Sequence, residues 1–127
     1  MASHVLDSSV WIALFVDNDP HHAQARRFFR ELSGAVYVPY VVVSEVATVI
    51  TYKHSKVQAE QFFKFLEDNP GIIHLEAETT ADVEHFRSIQ SKISFADATL
   101  LRIARELGVE LVTFDKQLAR LARKQSR

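Results

Sequence analysis

The chain contains no cysteine, which removes a disulfide framework, a thiolate metal site and a cysteine nucleophile from consideration. Histidine, carboxylate and hydroxyl chemistry remain. Glycine is scarce, three in 127 residues, and all three fall where turns are expected, so no glycine-rich loop exists to cradle a phosphate. Apolar runs are short: none approaches the ~18 residues of a bilayer-spanning helix. The opening Met1-Ala2-Ser3-His4 lacks the basic-then-apolar order of a secretory signal. A cytoplasmic protein without membrane association is the expectation. Neither sign of charge is in excess, since 15 Lys and Arg against 16 Asp and Glu give a formal net charge of -1, whereas nucleic-acid binders usually carry a basic surplus.

What is present is a core. Hydrophobic residues make up 47% of the chain and charged residues 24%, a balance far from that of disordered segments. The length suits one ordinary domain over residues 1–127 and is short for two. Charge is uneven only at the end, where Lys116, Arg120, Arg123, Lys124 and Arg127 follow Asp115 with no acid among them. Such a run either complements a helix C-terminus or contacts phosphates.

Read in order, Val5-Leu6 is a short buried strand that hands over at Asp7 to a helix from about Ser9 to Val16. Asp19 reads as an N-cap with Pro20 in the first turn of a second helix, whose inward stripe is Ala25, Phe28, Phe29 and Leu32. Ser33-Gly34 closes it. Ala35–Val38 is a second strand, and Pro39 opens a helix to about Lys53. That helix is crowded with valine, against propensity, so tertiary burial must hold it. Ser55 caps a fourth helix, which Asp68-Asn69-Pro70-Gly71 ends. Ile72–Leu75 is a third strand. Helices then follow near Thr79–Gln90, with Ala81, Val83, Phe86 and Ile89 inward, and from Ser94 to Gly108. Leu111–Phe114 is the last strand, and a short basic helix finishes the chain. Strands separated by helices, with no hairpin signal, predict parallel pairing in a three-layer α/β/α sandwich.

Four acids call for explanation. Asp7 and Asp115 each follow a strand, and in parallel sheets ligands gather at the carboxyl ends of strands. Glu45 has almost wholly apolar neighbours, which predicts a buried carboxylate compensated by a metal ion or a basic partner. Asp97 lies in Ser94-Phe95-Ala96-Asp97, a capping-box pattern, and Thr79-Thr80-Ala81-Asp82 has the same pattern. Capping alone could thus explain Asp97, and Asp7 and Asp115 could be N-caps as well. Taken together, four acids at strand ends and helix starts suit a hard divalent cation, Mg2+ or Mn2+, and all-oxygen sites suit phosphate chemistry.

Other chemistries find less support. The six histidines show no zinc-peptidase spacing. Ser8 and Ser9 lack a nucleophile elbow. Trp11, Phe28, Phe29, Phe62, Phe63 and Phe65 fit core or interface packing better than base-stacking.

At Val5-Leu6-Asp7-Ser8-Ser9, Ser44-Glu45, Ser94-Phe95-Ala96-Asp97-Ala98 and Val112-Thr113-Phe114-Asp115 the chain resembles the PIN-domain family, and within it the VapC-type ribonuclease toxins of toxin–antitoxin pairs. The resemblance spans nearly the whole chain. It implies a site of Asp7, Glu45, Asp97 and Asp115 binding one or two Mg2+ or Mn2+ ions, with Ser9 and Thr113 as supporting hydroxyls. It implies hydrolysis of RNA phosphodiester bonds by metal-activated water, a homodimer, and a cognate antitoxin protein. RNA contact would fall to local cations such as Arg26, Arg27, Arg30 and the C-terminal run. Two rival readings are a PIN-like RNA- or protein-binding module without activity and a magnesium-dependent phosphatase with Asp7 as nucleophile. The second lacks the Asp-x-Asp pair it would need, because Asp7 is followed by two serines.

Overall fold

Val5 and Leu6 are fully buried and occupy β1 (His4–Leu6), an inner strand of an all-parallel sheet. The structure, a computed structural model, describes residues 2–126. Beside β1 lie β2 (Val36–Pro39) on one side and β4 (Glu110–Val112) on the other, with β3 (Ile72–Leu75) outside β2, in the order β3-β2-β1-β4. Register sets Val5 opposite Tyr37 and Leu111. Strands buried on both faces need no polar alternation, which is why the segment reads as a plain apolar run.

Helices connect and cover the strands: α1 (Ser8–Phe15), α2 (His22–Glu31), α3 (Tyr40–Lys53), α4 (Lys56–Asp68), α5 (Thr79–Ser88), α6 (Phe95–Leu107) and α7 (Lys116–Gln125). α1 packs with α2, α3 and α4, while α6 packs with α5, α7 and the strands β1 and β4. The expected three-layer α/β/α sandwich is therefore the observed fold. Trp11 and Phe62, both fully buried, meet Phe15, Phe29 and Phe65 in mostly edge-to-face contacts, which accounts for the aromatics as core packing.

Several boundaries differ from the sequence reading for local reasons. α2 starts at His22, not at Pro20, because the Asp19 carboxylate accepts the backbone N–H of His21 at 2.8 Å and so builds a turn ahead of the helix. Pro39 stays extended as the last residue of β2, opposite Leu75, and α3 begins one residue later. α5 turns Asp82 inward and leaves Phe86 exposed, against the expected apolar stripe. β4 ends at Val112, because the Thr113 hydroxyl accepts the Asp115 backbone N–H at 2.9 Å and bends the chain out of the sheet. At Gly34 a side chain is excluded, since a Cβ would stand 1.8 Å from the carbonyl oxygen of Ala2. Gly108 ends α6 in the left-handed conformation, φ 64°.

Candidate active site

The strand order places the reversal of chain progression between β1 and β4, and the carboxyl ends of strands beside such a reversal form a crevice. Asp7 leaves β1 there and Thr113 leaves β4. Asp7 is 6% exposed, and both its carboxylate oxygens are held. Oδ1 accepts the Ser9 hydroxyl at 2.5 Å and the Val10 backbone N–H at 3.3 Å, and Oδ2 accepts the Thr113 hydroxyl at 2.5 Å. Asp7 is thus an N-cap and a carboxyl fixed in orientation at once. Burial pushes its carboxyl above the usual range, and the bonds from Ser9, Thr113 and Val10 pull it back.

The two hydroxyls also receive bonds. Ser9 Oγ accepts the Phe114 backbone N–H at 3.3 Å, and Thr113 Oγ1 accepts that of Asp115. Two loops far apart in sequence are thereby laced around one carboxylate. Asp115 itself caps α7, accepting the Leu118 N–H at 3.0 Å, and is otherwise exposed.

Asp97 sits on the first turn of α6, where Ser94 Oγ accepts its backbone N–H at 3.0 Å. Half the capping box forms. Its half-buried carboxyl is pushed up to about 6, first by burial, then by the charges of Asp7 and Asp115; the Ser94 bond opposes this and Glu45 adds to it. All three other candidate acids thus act on Asp97.

Glu45 corrects the sequence reading. It is exposed, because α3 buries only the Val42, Val46 and Ile50 stripe and leaves Ser44 and Glu45 at the surface. The desolvation argument for a partner therefore fails, although Glu45 does face the site: its Oε1 accepts the hydroxyl of Ser8 on the first turn of α1. Ser8 was missed as a site residue. The signal was the serine pair after Asp7, which puts two hydroxyls on the opening turn of a helix, one for each acid.

The donor set is all oxygen, mutually repelling and short of cations, which fits Mg2+ or Mn2+. No three acids or histidines among the described residues stand together as a ready ligand cage. Magnesium commonly takes one or two carboxylates and keeps several waters, so a cage is not required.

Three of the cations expected to contact RNA, Arg26, Arg30 and Arg123, lie elsewhere. Arg26 and Arg30 line a cavity of about 590 Å³ with Gly34, Val36, Gly71 and Ile72, at the edge where β2 and β3 begin. Arg123 lines another with Val109 and Glu110, where β4 begins. Both cavities are at the sheet edge opposite the acids.

These features define an acidic site at the carboxyl edge of a parallel sheet, held by hydroxyls from two loops. A PIN-domain family profile matches residues 4–124, and the chain belongs to that family. In fold it is similar to VapC20 from Mycobacterium tuberculosis, described as a sarcin-ricin loop cleaving toxin, with TM-score 0.84 and 18% identity over 93% of this chain and 94% of that one. FitAcB from Neisseria gonorrhoeae superposes with TM-score 0.64 at 17% identity over 94% of this chain and 93% of that one. A Pyrobaculum aerophilum protein does so with TM-score 0.59 at 14% identity over 92% and 82%. No curated protein sequence matches the chain.

Proposed function

We propose that the protein is an endoribonuclease dependent on Mg2+ or Mn2+, and that it is the toxin of a toxin–antitoxin pair. The observation that carries the reading is Asp97, a half-buried carboxyl on the first turn of α6 that is raised to about 6 by burial and by the charges of the three other acids. Membership of the PIN family and the fold shared with a sarcin-ricin loop cleaving toxin support it.

Asp7 and Asp97 would be the principal metal ligands, with Glu45 and Asp115 completing the acidic rim. A bound divalent cation supplies charge neutralisation for the phosphate and an activated water. Ser9 and Thr113 favour the ionised form of Asp7 against the effect of burial and aim it by donating to its two oxygens. Ser8 orients Glu45 from the helix start, leaving the second oxygen of Glu45 available to accept a proton from water. Ser94 fixes the first turn of α6 and with it the position of Asp97.

A cognate antitoxin and a homodimer belong to the same proposal. Tyr40, Tyr52 and Val57 are 64%, 85% and 67% exposed and offer apolar contact. No described helix is long and apolar enough to cross a membrane.

The test is incubation of purified protein with structured and single-stranded RNA in Mg2+, in Mn2+ and in chelator, with the ends of the products mapped. Cleavage in metal that stops in chelator and leaves 5′-phosphates supports the reading. Cleavage unaffected by chelator, or covalent phosphorylation of Asp7 with a phosphoryl donor, contradicts it.

A further inference from the structure

An acid cluster repels the polyanion it is meant to cut, and a chain of net charge -1 supplies no general attraction. Cations close to the acids are therefore needed. Arg26, Arg30 and Arg123 are at the wrong edge of the sheet. A third cavity, about 450 Å³, is in the right place, because Ser9 and Asp115 of the acidic site are part of its wall. From there it runs to His21, Phe114, Lys53 and His54.

Two features of this groove match a nucleotide. The rings of His21 and Phe114 stack in parallel, 4.2 Å apart with 10° between their planes. Phe114 is held in place by its backbone bond to Ser9, the residue that also holds Asp7. The aromatic wall is thus indexed to the acids. At the end of α3, Lys53 and His54 are exposed, and neither forms an ion pair among the described residues. An aromatic platform beside a lysine and further hydrogen-bond donors is how single-stranded nucleic acid is held without duplex geometry.

We propose that the groove lined by His21, Phe114, Lys53 and His54 binds the unpaired nucleotide adjoining the scissile phosphate, its base against the His21–Phe114 wall and its phosphate on Lys53 and His54. The proposal rests on the ribonuclease reading above and assigns that site a single-stranded substrate segment. A base stacked there is splayed from its neighbours, which brings the adjoining phosphate toward Asp7 and Asp97.

The test is fluorescence anisotropy of a labelled single-stranded RNA octamer with the full chain in chelator, where binding is read without cleavage. Lys53→Ala is expected to weaken binding and to flatten the dependence of log K on log salt by about 0.7, one phosphate contact, and His54→Ala to weaken binding by removing a hydrogen-bond donor. His21→Ala is expected to weaken binding on the order of tenfold, and His21→Phe, which keeps a stacking face, to restore it. A thermal melt of each variant separates these effects from unfolding. If the parent fails to bind the octamer, or if Lys53→Ala and His21→Ala bind like the parent, the groove assignment is overturned, whether or not RNA is cleaved in metal. If the variants behave as expected while the parent cleaves nothing in Mg2+ or Mn2+, the groove stands and the nuclease reading falls.

Discussion

Thr79-Thr80-Ala81-Asp82 and Ser94-Phe95-Ala96-Asp97 share one sequence pattern and end in opposite electrostatic situations. Ser94 caps its helix as the pattern says, while α5 has no side-chain cap at all. Asp82 instead turns inward and accepts from Arg102 Nε at 2.6 Å, with both side chains 6% exposed. Arg102 also meets Glu106 at 2.8 Å and Glu78 at 3.3 Å. This acid is neutralised within the chain. Asp97 has no ion-pair partner among the described residues and feels the charges of three acids, and its carboxyl is driven up to about 6. A buried acid answered by its own arginine holds a fold together. One left unanswered is available to a cation from outside.

The contrast can be broken by substitution. The largest effect is expected from Asp7→Asn, which keeps the helix cap but removes the charge: RNA cleavage in Mg2+ should fall on the order of a thousandfold, with the melting temperature little changed. Parental rates from this variant would remove Asp7 from the site. Asp82→Ala should do the reverse, destabilising the protein by about 3 kcal/mol in urea titration because it strips a buried guanidinium of its closest partner. The residual folded fraction should bind metal normally.

Thr113→Val is expected to act between these extremes. It takes one donor from Asp7, and loss of an orienting partner typically weakens metal binding by about 10- to 100-fold, which calorimetric titration would read. The smallest effect is one of pH. In metal-free protein the Asp97 carboxyl is raised from 3.8 to about 6 by folding, so the folded chain holds more protons than the unfolded chain between those values. Stability should therefore fall as pH rises through that window, and Asp97→Asn should flatten the slope in melts taken from pH 4 to 7.

The contrast also shows what was legible in the sequence. Strand–helix alternation, the N-caps at Asp7, Ser55, Ser94 and Asp115, and the stop at Gly108 depend on nearest neighbours, and these could be read directly. Asp19 shows the limit of such reading, because a side chain that can cap a helix can equally close a turn two residues earlier. Glu45 was expected to be buried from its valine neighbours, yet helical geometry needs only Val42, Val46 and Ile50 inside. Arg102 was passed over, although a lone arginine within the stripe Ala98–Ala104 signalled a buried ion pair. Its partner lies twenty residues away on another helix, and only tertiary packing identifies it. The groove was likewise hidden, since Lys53 and Phe114, far apart in sequence, line it together only in the folded chain.

The central claim is that the acids around Asp97 form a cation site that the chain itself leaves uncompensated. Calorimetric titration of Mn2+ into the parent, Asp97→Asn and Asp82→Asn at neutral pH tests it most directly. The expected result is binding by the parent, binding by Asp97→Asn weakened beyond the roughly 10- to 100-fold loss typical of a supporting residue, and parental affinity in Asp82→Asn. Equal Mn2+ affinity in the parent and Asp97→Asn would contradict it.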